Sequence, residues 1–199
     1  MKIVVIGGTG TIGRAIVEEM QPRHEIVVAG RSHGDRQVDI TDPASVQALF
    51  DRIGRFDALI AATGNLHFGP VTETTAEQFS LGLQDKLLGQ IRVALAGQHH
   101  LNDGGSITLT SGIVADEPIR QGSNATTVNA AVEGFVRAAA IELPRGLRIN
   151  AVSPTMVTES ASVYGPFFPG FESVPAAKVA LAYRRSIEGP QTGRVYRVW

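Results

Sequence analysis

The stretch "KIVVIGGTGTIGRAIVEEM", residues 2–20, decides the fold. An unbroken apolar run runs into Gly7, Gly10 and Gly13, and a helical pattern follows. A strand that turns through such glycines into a helix has a definite physical use. The first glycine makes the tight turn; the others let the backbone approach a pyrophosphate and let the helix pack close. The N–H groups at the helix start, around Thr9, Thr11 and Ile12, then face the phosphates. An ordinary glycine-rich turn is the competing reading. It accounts less well for strand, glycines and helix standing in register.

The alternation continues outward from this unit. "EIVVA" (25–29), "DALIAA" (57–62), "SITLTS" (106–111), "RINAVS" (148–153) and "RVYRVW" (194–199) read as strands, with a short one at "QVDI" (37–40). Several are apolar on consecutive residues, as strands covered on both faces are. Helices are expected over 11–21, 43–53, 76–101, 125–143 and 175–188. Thr75 with Gln78 forms a capping-box pattern, and Pro144 with Gly146 is a stop signal. Only "RSHGDR" separates the second strand from "QVDI", too little for a crossover helix. The fold class is therefore α/β: a single doubly wound parallel sheet, Rossmann-like, with helices on both faces and one domain over 1–199.

Composition agrees. With 199 residues, 43% hydrophobic and 19% charged, the chain has the makeup of a soluble globular domain with a sizeable core. A formal net charge of -1 and no basic stripe argue against nucleic acid. The absence of cysteine excludes thiol chemistry, disulfides and thiolate zinc sites. No segment approaches a membrane span, and the first apolar run is too short for a signal peptide, so a cytoplasmic location is expected. His99 and His100 are adjacent and diverge on a helix, so no metal site is read there.

The second strand ends "VVAGRSHGD". An acid is usual there for the ribose 2′-hydroxyl of NAD. Arg31 and Ser32 stand there instead, and a guanidinium fork suits the dianionic 2′-phosphate of NADP(H). The alternative is a solvated loop arginine.

Taken together, the motifs resemble those of the short-chain dehydrogenases/reductases over essentially the whole chain. "IGGTGTIG" stands where the family has T-G-x-x-x-G-x-G, with Thr11 in place of the middle glycine. "VDITD" matches D-x-T-D, so Asp39 and Ile40 would flank the adenine. "AATG" (Ala61, Ala62, Thr63, Gly64) stands for N-N-A-G, and "KLLG" (86–89) for N-x-x-G. "GSITLTSG" (105–112) resembles the strand that delivers the family's serine. "INAVSPT" (149–155) resembles the segment that closes over the nicotinamide, implying contacts from Pro154 and Val157. "QTGRVYRV" resembles the last strand.

The resemblance implies an asparagine, a serine, and a tyrosine and lysine spaced Y-x-x-x-K. Setting "NAAVEGF" on the family's "KAAVEGF" puts Asn129 at the lysine, Ala125 at the tyrosine and Lys86 at the asparagine. The serine falls at Ser111 or Gly112. Within "NATTVNAAVEGF" (124–135) the only ionisable residue is Glu133, far down the helix. Losing a positioned general acid costs about 10²–10⁴-fold. Asn129 retains the ability to bond the nicotinamide ribose.

Lys86 follows Phe79 by seven residues and shares its apolar face, so it is expected to point inward, where burial would lower its pKa. A snorkelling lysine, or one paired with Asp85, is the competing reading. Ser111 closes a buried strand at the sheet edge where ligands bind, or simply bonds its own backbone. His67 reads as a loop histidine, and Tyr164 lies in an aromatic-rich excursion expected to be a substrate lid or an oligomer contact. Lys86, Ser111 and Asn129 are thus the catalytic candidates. The expected function is NADP(H)-dependent reduction of an activated small-molecule acceptor: a quinone, a flavin or a conjugated carbonyl. A cofactor-binding sensor without catalysis is the alternative. Small residues on the two long helices, among them Gly89, Ala94, Ala130 and Ala138, suggest a homodimer or homotetramer.

Overall fold

The computed structural model describes residues 1–199. Seven strands form one parallel sheet: β1 (Lys2–Ile6), β2 (Glu25–Gly30), β3 (Arg36–Gln37), β4 (Phe56–Ala61), β5 (Leu101–Thr110), β6 (Arg148–Pro154) and β7 (Val195–Val198). Their order is β3-β2-β1-β4-β5-β6-β7, so the winding reverses between β1 and β4. That reversal opens a crevice beyond the carboxyl ends of the strands, the usual ligand site of such sheets.

Alternation within each strand explains the continuous apolar runs. Val4 and Ile6 of β1 face α2 (Pro43–Ile53), α4 (Leu88–Gly97) and α5 (Ser123–Ala139), packing with Phe50, Val93 and Val132. Ile3 and Val5 face the other way, toward α1 (Thr11–Met20) and α7 (Ala176–Glu188), packing with Ile16, Met20 and Tyr183. Both faces of the sheet are covered, so each strand needs apolar residues on both sides.

The segment expected as one helix over 76–101 is three pieces. α3 (Ala76–Gly82) starts at the Thr75 capping box. A π turn (Leu83–Leu87) follows, in which the Leu88 N–H reaches back five residues to the Leu83 carbonyl, and α4 then runs to Gly97. His99 and His100 lie in the turn beyond it. β5 starts at Leu101, earlier than expected, because Leu101 pairs with Phe56; the ladder then shifts register and resumes at Ser106. The third strand is only Arg36–Gln37 rather than 37–40, and α5 ends at Ala139, short of 143, before the predicted Pro144 stop. No helix is long and apolar enough to cross a membrane.

Candidate active site

A cleft of about 480 Å³ opens over the ends of β4, β5 and β6. Its rim on one side is the loop into α1, with Gly10, Thr11 and Ile12. Gly10 caps α1 with no side-chain bond, so the first-turn N–H groups carry no side-chain cap. Gly13 is buried under this loop: a Cβ there would lie 2.0 Å from the Gly7 carbonyl oxygen. Only glycine lets helix and turn meet so closely. The loop therefore has the bare, backbone-lined shape that a pyrophosphate requires.

Ala62, Thr63 and Gly64 leave β4 along the cleft floor, and Pro154 and Val157 border it after β6. Ala61 is wholly buried; its carbonyl accepts the Thr110 hydroxyl at 2.6 Å. Since Thr110 donates there, the buried Tyr183 hydroxyl, 2.6 Å away, donates to Thr110. Gln90 grips the same strand end, donating to the Thr110 carbonyl at 2.9 Å and accepting its N–H at 2.8 Å. The floor is thus fixed by bonds to both faces of the sheet.

Lys86, Ser111 and Asn129 come together on this floor. The π turn aims Lys86 inward, leaving it 8% exposed. Its Nζ donates to Asn129 Oδ1 at 2.7 Å and to the Ser111 carbonyl at 3.3 Å. Asn129 Nδ2 donates to the Ala125 carbonyl at 2.8 Å, which fixes the orientation of its amide. Burial brings the Lys86 pKa down to about 8. An ammonium has three donors; two are held, so one remains for a group in the cleft. Gly64 is what lets this lysine sit so deep. It adopts φ +124°, and a Cβ there would lie 2.5 Å from the Lys86 Cβ.

Ser111 contributes its carbonyl to Lys86, while its hydroxyl donates to Glu133 Oε1 at 2.8 Å. Glu133 is therefore not remote: it is 4% exposed, beneath the site, with Arg137 3.7 Å from its other oxygen. The spacing Ala125, Asn129, Glu133, Arg137 was a readable signal, because residues four apart share a helix face. Gln90, four after Lys86, follows the same rule.

The excursion after β6 covers the cleft. It holds a short helix, α6 (Ala161–Tyr164), and closes at its base where Val157 pairs with Val174. Tyr164 and Phe168 line the cleft together with Phe68 from the opposite loop, and Phe68 lies 5.9 Å from Tyr164 and 5.0 Å from Phe167. Behind them Ile113, Val114 and Ala125 form a small apolar cluster. His67 uses its backbone N–H on Asn124 Oδ1 and is not part of the cleft lining.

Arg31 and Ile40 border a second, polar cavity of about 190 Å³, contiguous with the cleft across Thr63, Gly64 and Asn65. Ser32 is exposed and bonded to His33 Nδ1 at 2.9 Å. Thr9 lends its carbonyl to Arg14. Asp39 accepts from the backbone and hydroxyl of Thr41, which lowers its pKa.

Residues 11–188 match the family described as enoyl-(acyl carrier protein) reductase. Among solved structures, the chain is similar to the protein lin1944 from Listeria innocua, at 47% identity and TM-score 0.98 with 100% of both chains covered. It is also similar to a small-chain dehydrogenase in complex with NADPH, at 30% identity and TM-score 0.89, covering 100% of this chain and 96% of that one. Among curated proteins it resembles the hydroxynaphthalene reductase arp2 of Aspergillus fumigatus, at 27% identity over 90% of this chain and 76% of that protein. The tetrahydroxynaphthalene reductase PfmaG of Pestalotiopsis fici is 32% identical over 77% of this chain and 65% of its own length.

Proposed function

The chain belongs to the short-chain dehydrogenase/reductase family and is an oxidoreductase, and from that premise we propose that it uses NADP(H) to reduce a flat, conjugated carbonyl such as a quinone or a hydroxylated fused-ring ketone. The observation that carries the reading is the buried Lys86, with one N–H unspent, on the floor of an aromatic-lidded cleft. The phosphate loop at Gly7, Gly10 and Gly13 would hold the pyrophosphate, and Arg31 the 2′-phosphate. Asp39 and Ile40 would flank the adenine. Ala62, Thr63, Gly64, Asn129, Pro154 and Val157 would border the nicotinamide half. Two kinds of relative support the choice: a structural neighbour holds NADPH, and two curated relatives are named for hydroxylated naphthalenes.

NADPH, when bound, supplies the hydride. The chain's task is to hold the acceptor flat and to manage charge on its oxygen. Phe68, Tyr164 and Phe168 offer ring faces for stacking. Ala125 is wholly buried behind these rings and brings no phenol to the floor, so the acceptor oxygen meets no tyrosine there. Lys86 donates its free N–H to the acceptor oxygen, where negative charge grows during reduction. With a pKa of about 8 it can also pass the proton and be reprotonated from solvent. Asn129 and the Ser111 carbonyl keep the ammonium in place.

The test is NADPH oxidation with quinones, fused-ring ketones, flavins and simple ketones. Conjugated acceptors are expected to be turned over and simple ketones hardly at all. Lys86→Met is expected to lower turnover about 10²-fold or more while NADPH affinity stays near the parent value, the mark of a lost transition-state contact. Unchanged turnover removes Lys86 from the chemistry. No oxidation with any acceptor favours a cofactor-binding sensor.

A further inference from the structure

The two neighbours in the middle of the π turn point into different cavities. Lys86 enters the cleft, and Asp85, just before it, lines the polar cavity with Gly7, Arg31, Ile40 and Asn65. Asp85 is held there: its side chain is 13% exposed, and Asn65 Nδ2 donates to its Oδ2 at 2.6 Å. The same oxygen lies 3.6 Å from an Arg31 nitrogen, and Asp39 Oδ1 lies 3.6 Å from that nitrogen too. One guanidinium thus faces two carboxylates, and the other cation nearby, Arg92, donates to the Ile40 carbonyl and acts on Asp39 rather than on Asp85. A 2′-phosphate adds further negative charge. A 2′-phosphate bound to Arg31 shares the guanidinium with both carboxylates and lies beside Asp85.

We propose that Asp85 is a specificity-determining residue that restrains the preference for NADP(H) over NAD(H) conferred by Arg31. It does so in two ways. Its carboxylate competes with the 2′-phosphate for the guanidinium and repels it. It also offers an acceptor suited to ribose hydroxyls, which an unphosphorylated adenosine presents. The position is distinct from the strand end at Arg31 and Ser32, where such discrimination is usually sought. Because the π turn carries Asp85 and Lys86 together, one local distortion serves both ends of the cofactor. The inference rests on Arg31 being the 2′-phosphate ligand, as in the proposed function.

Asp85→Asn removes the charge but keeps the size and an oxygen for Asn65, so it isolates the electrostatic part; Asp85→Ser, which is smaller, serves as the second variant. Dissociation constants for NADPH and NADH are measured by cofactor fluorescence. Those for adenosine 2′,5′-bisphosphate and adenosine 5′-monophosphate are measured by calorimetry, which needs no turnover. In Asp85→Asn the ratio favouring the 2′-phosphorylated member of each pair is expected to rise about tenfold, and the gain to shrink at high salt. Asp85→Ser should move it the same way. Arg31→Ala separates the layers. If Arg31→Ala lowers the ratio and both Asp85 variants leave it unchanged or lower, the inference about Asp85 is overturned alone. If Arg31→Ala leaves the ratio unchanged, Arg31 is not the phosphate ligand, and both readings fall.

Discussion

Lys86 concentrates the residue-scale physics. Its ordinary pKa is 10.5, and burial brings it to about 8 in the folded protein. Below that value the folded state carries the proton, so reduction that draws on Lys86 should slow as pH rises through about 8, and Lys86→Met should lose that limb of the pH–rate profile. Stability moves the other way. Between about 8 and 10.5 the unfolded chain binds the proton and the folded one does not, so wild-type stability gains as pH rises across this window. Relative to Lys86→Met, the gain from pH 7 to pH 10.5 should be on the order of 3 kcal/mol. Urea unfolding of both proteins at several pH values reads it directly, and parallel curves would mean that the lysine is not desolvated. Inward direction was legible from the spacing with Phe79. The partners were not, because Asn129 and Ser111 are 43 and 25 residues away in sequence.

At the scale of elements, the π turn and the phosphate loop do the positioning. A continuous helix over 76–101 was the natural expectation, since no proline interrupts it and the capping box begins it well. One widened turn leaves almost no trace in residue type. It is favoured when the flanking helices pack, and here Gly82 and Gly89 sit against Asn124 and Ile40 on either side of it. The phosphate loop, by contrast, was legible because backbone contact admits only glycine. Gly13→Ala tests that contact. The new methyl group would press on the Gly7 carbonyl, and α1 cannot retreat from its packing on α7. Stability is expected to fall by about 1–3 kcal/mol, the usual cost of overpacking. Nucleotide affinity should fall with it, by calorimetry; unaltered binding would mean that the loop tolerates a different path.

For the whole molecule, the exposed faces of α4 and α5 are the feature that a single copy leaves unexplained. A shallow apolar groove runs between their far ends, bordered by Ala94, Leu95, Phe135, Ala138 and Leu143. Leu95 is 50% exposed, and Ile141 just beyond α5 is 87% exposed. We propose that two copies pair across these helices, where small side chains permit close approach. Light scattering at micromolar concentration should give at least a dimer, and Leu95→Glu should shift it to monomer without unfolding it. A wild-type monomer would leave the groove without a partner from its own kind. The excursion carrying Tyr164, read from sequence as lid or contact, packs on Phe68 within one copy and covers the cleft.

Sequence by itself determined what depends on neighbours along the chain. Strand and helix types follow from apolar period, the phosphate loop from glycine spacing, and the sheet's parallel winding from strand–helix alternation. Helical repeat pointed to the inward face for Lys86, and the π turn, which the residue types do not foretell, sets the aim of its side chain. Tertiary structure alone decided which polar groups meet. The pairing of Lys86 with Asn129 and the Ser111 carbonyl, the anchoring of Ser111 by Glu133, and the hold of Asp85 and Asp39 on Arg31 each join segments tens of residues apart or turn on a side chain's chosen rotamer. Hydrogen bonds are short-ranged and directional, so periodicity that fixes a face to within a turn cannot fix an atom to within an ångström. The chemistry of this protein is set at that finer distance.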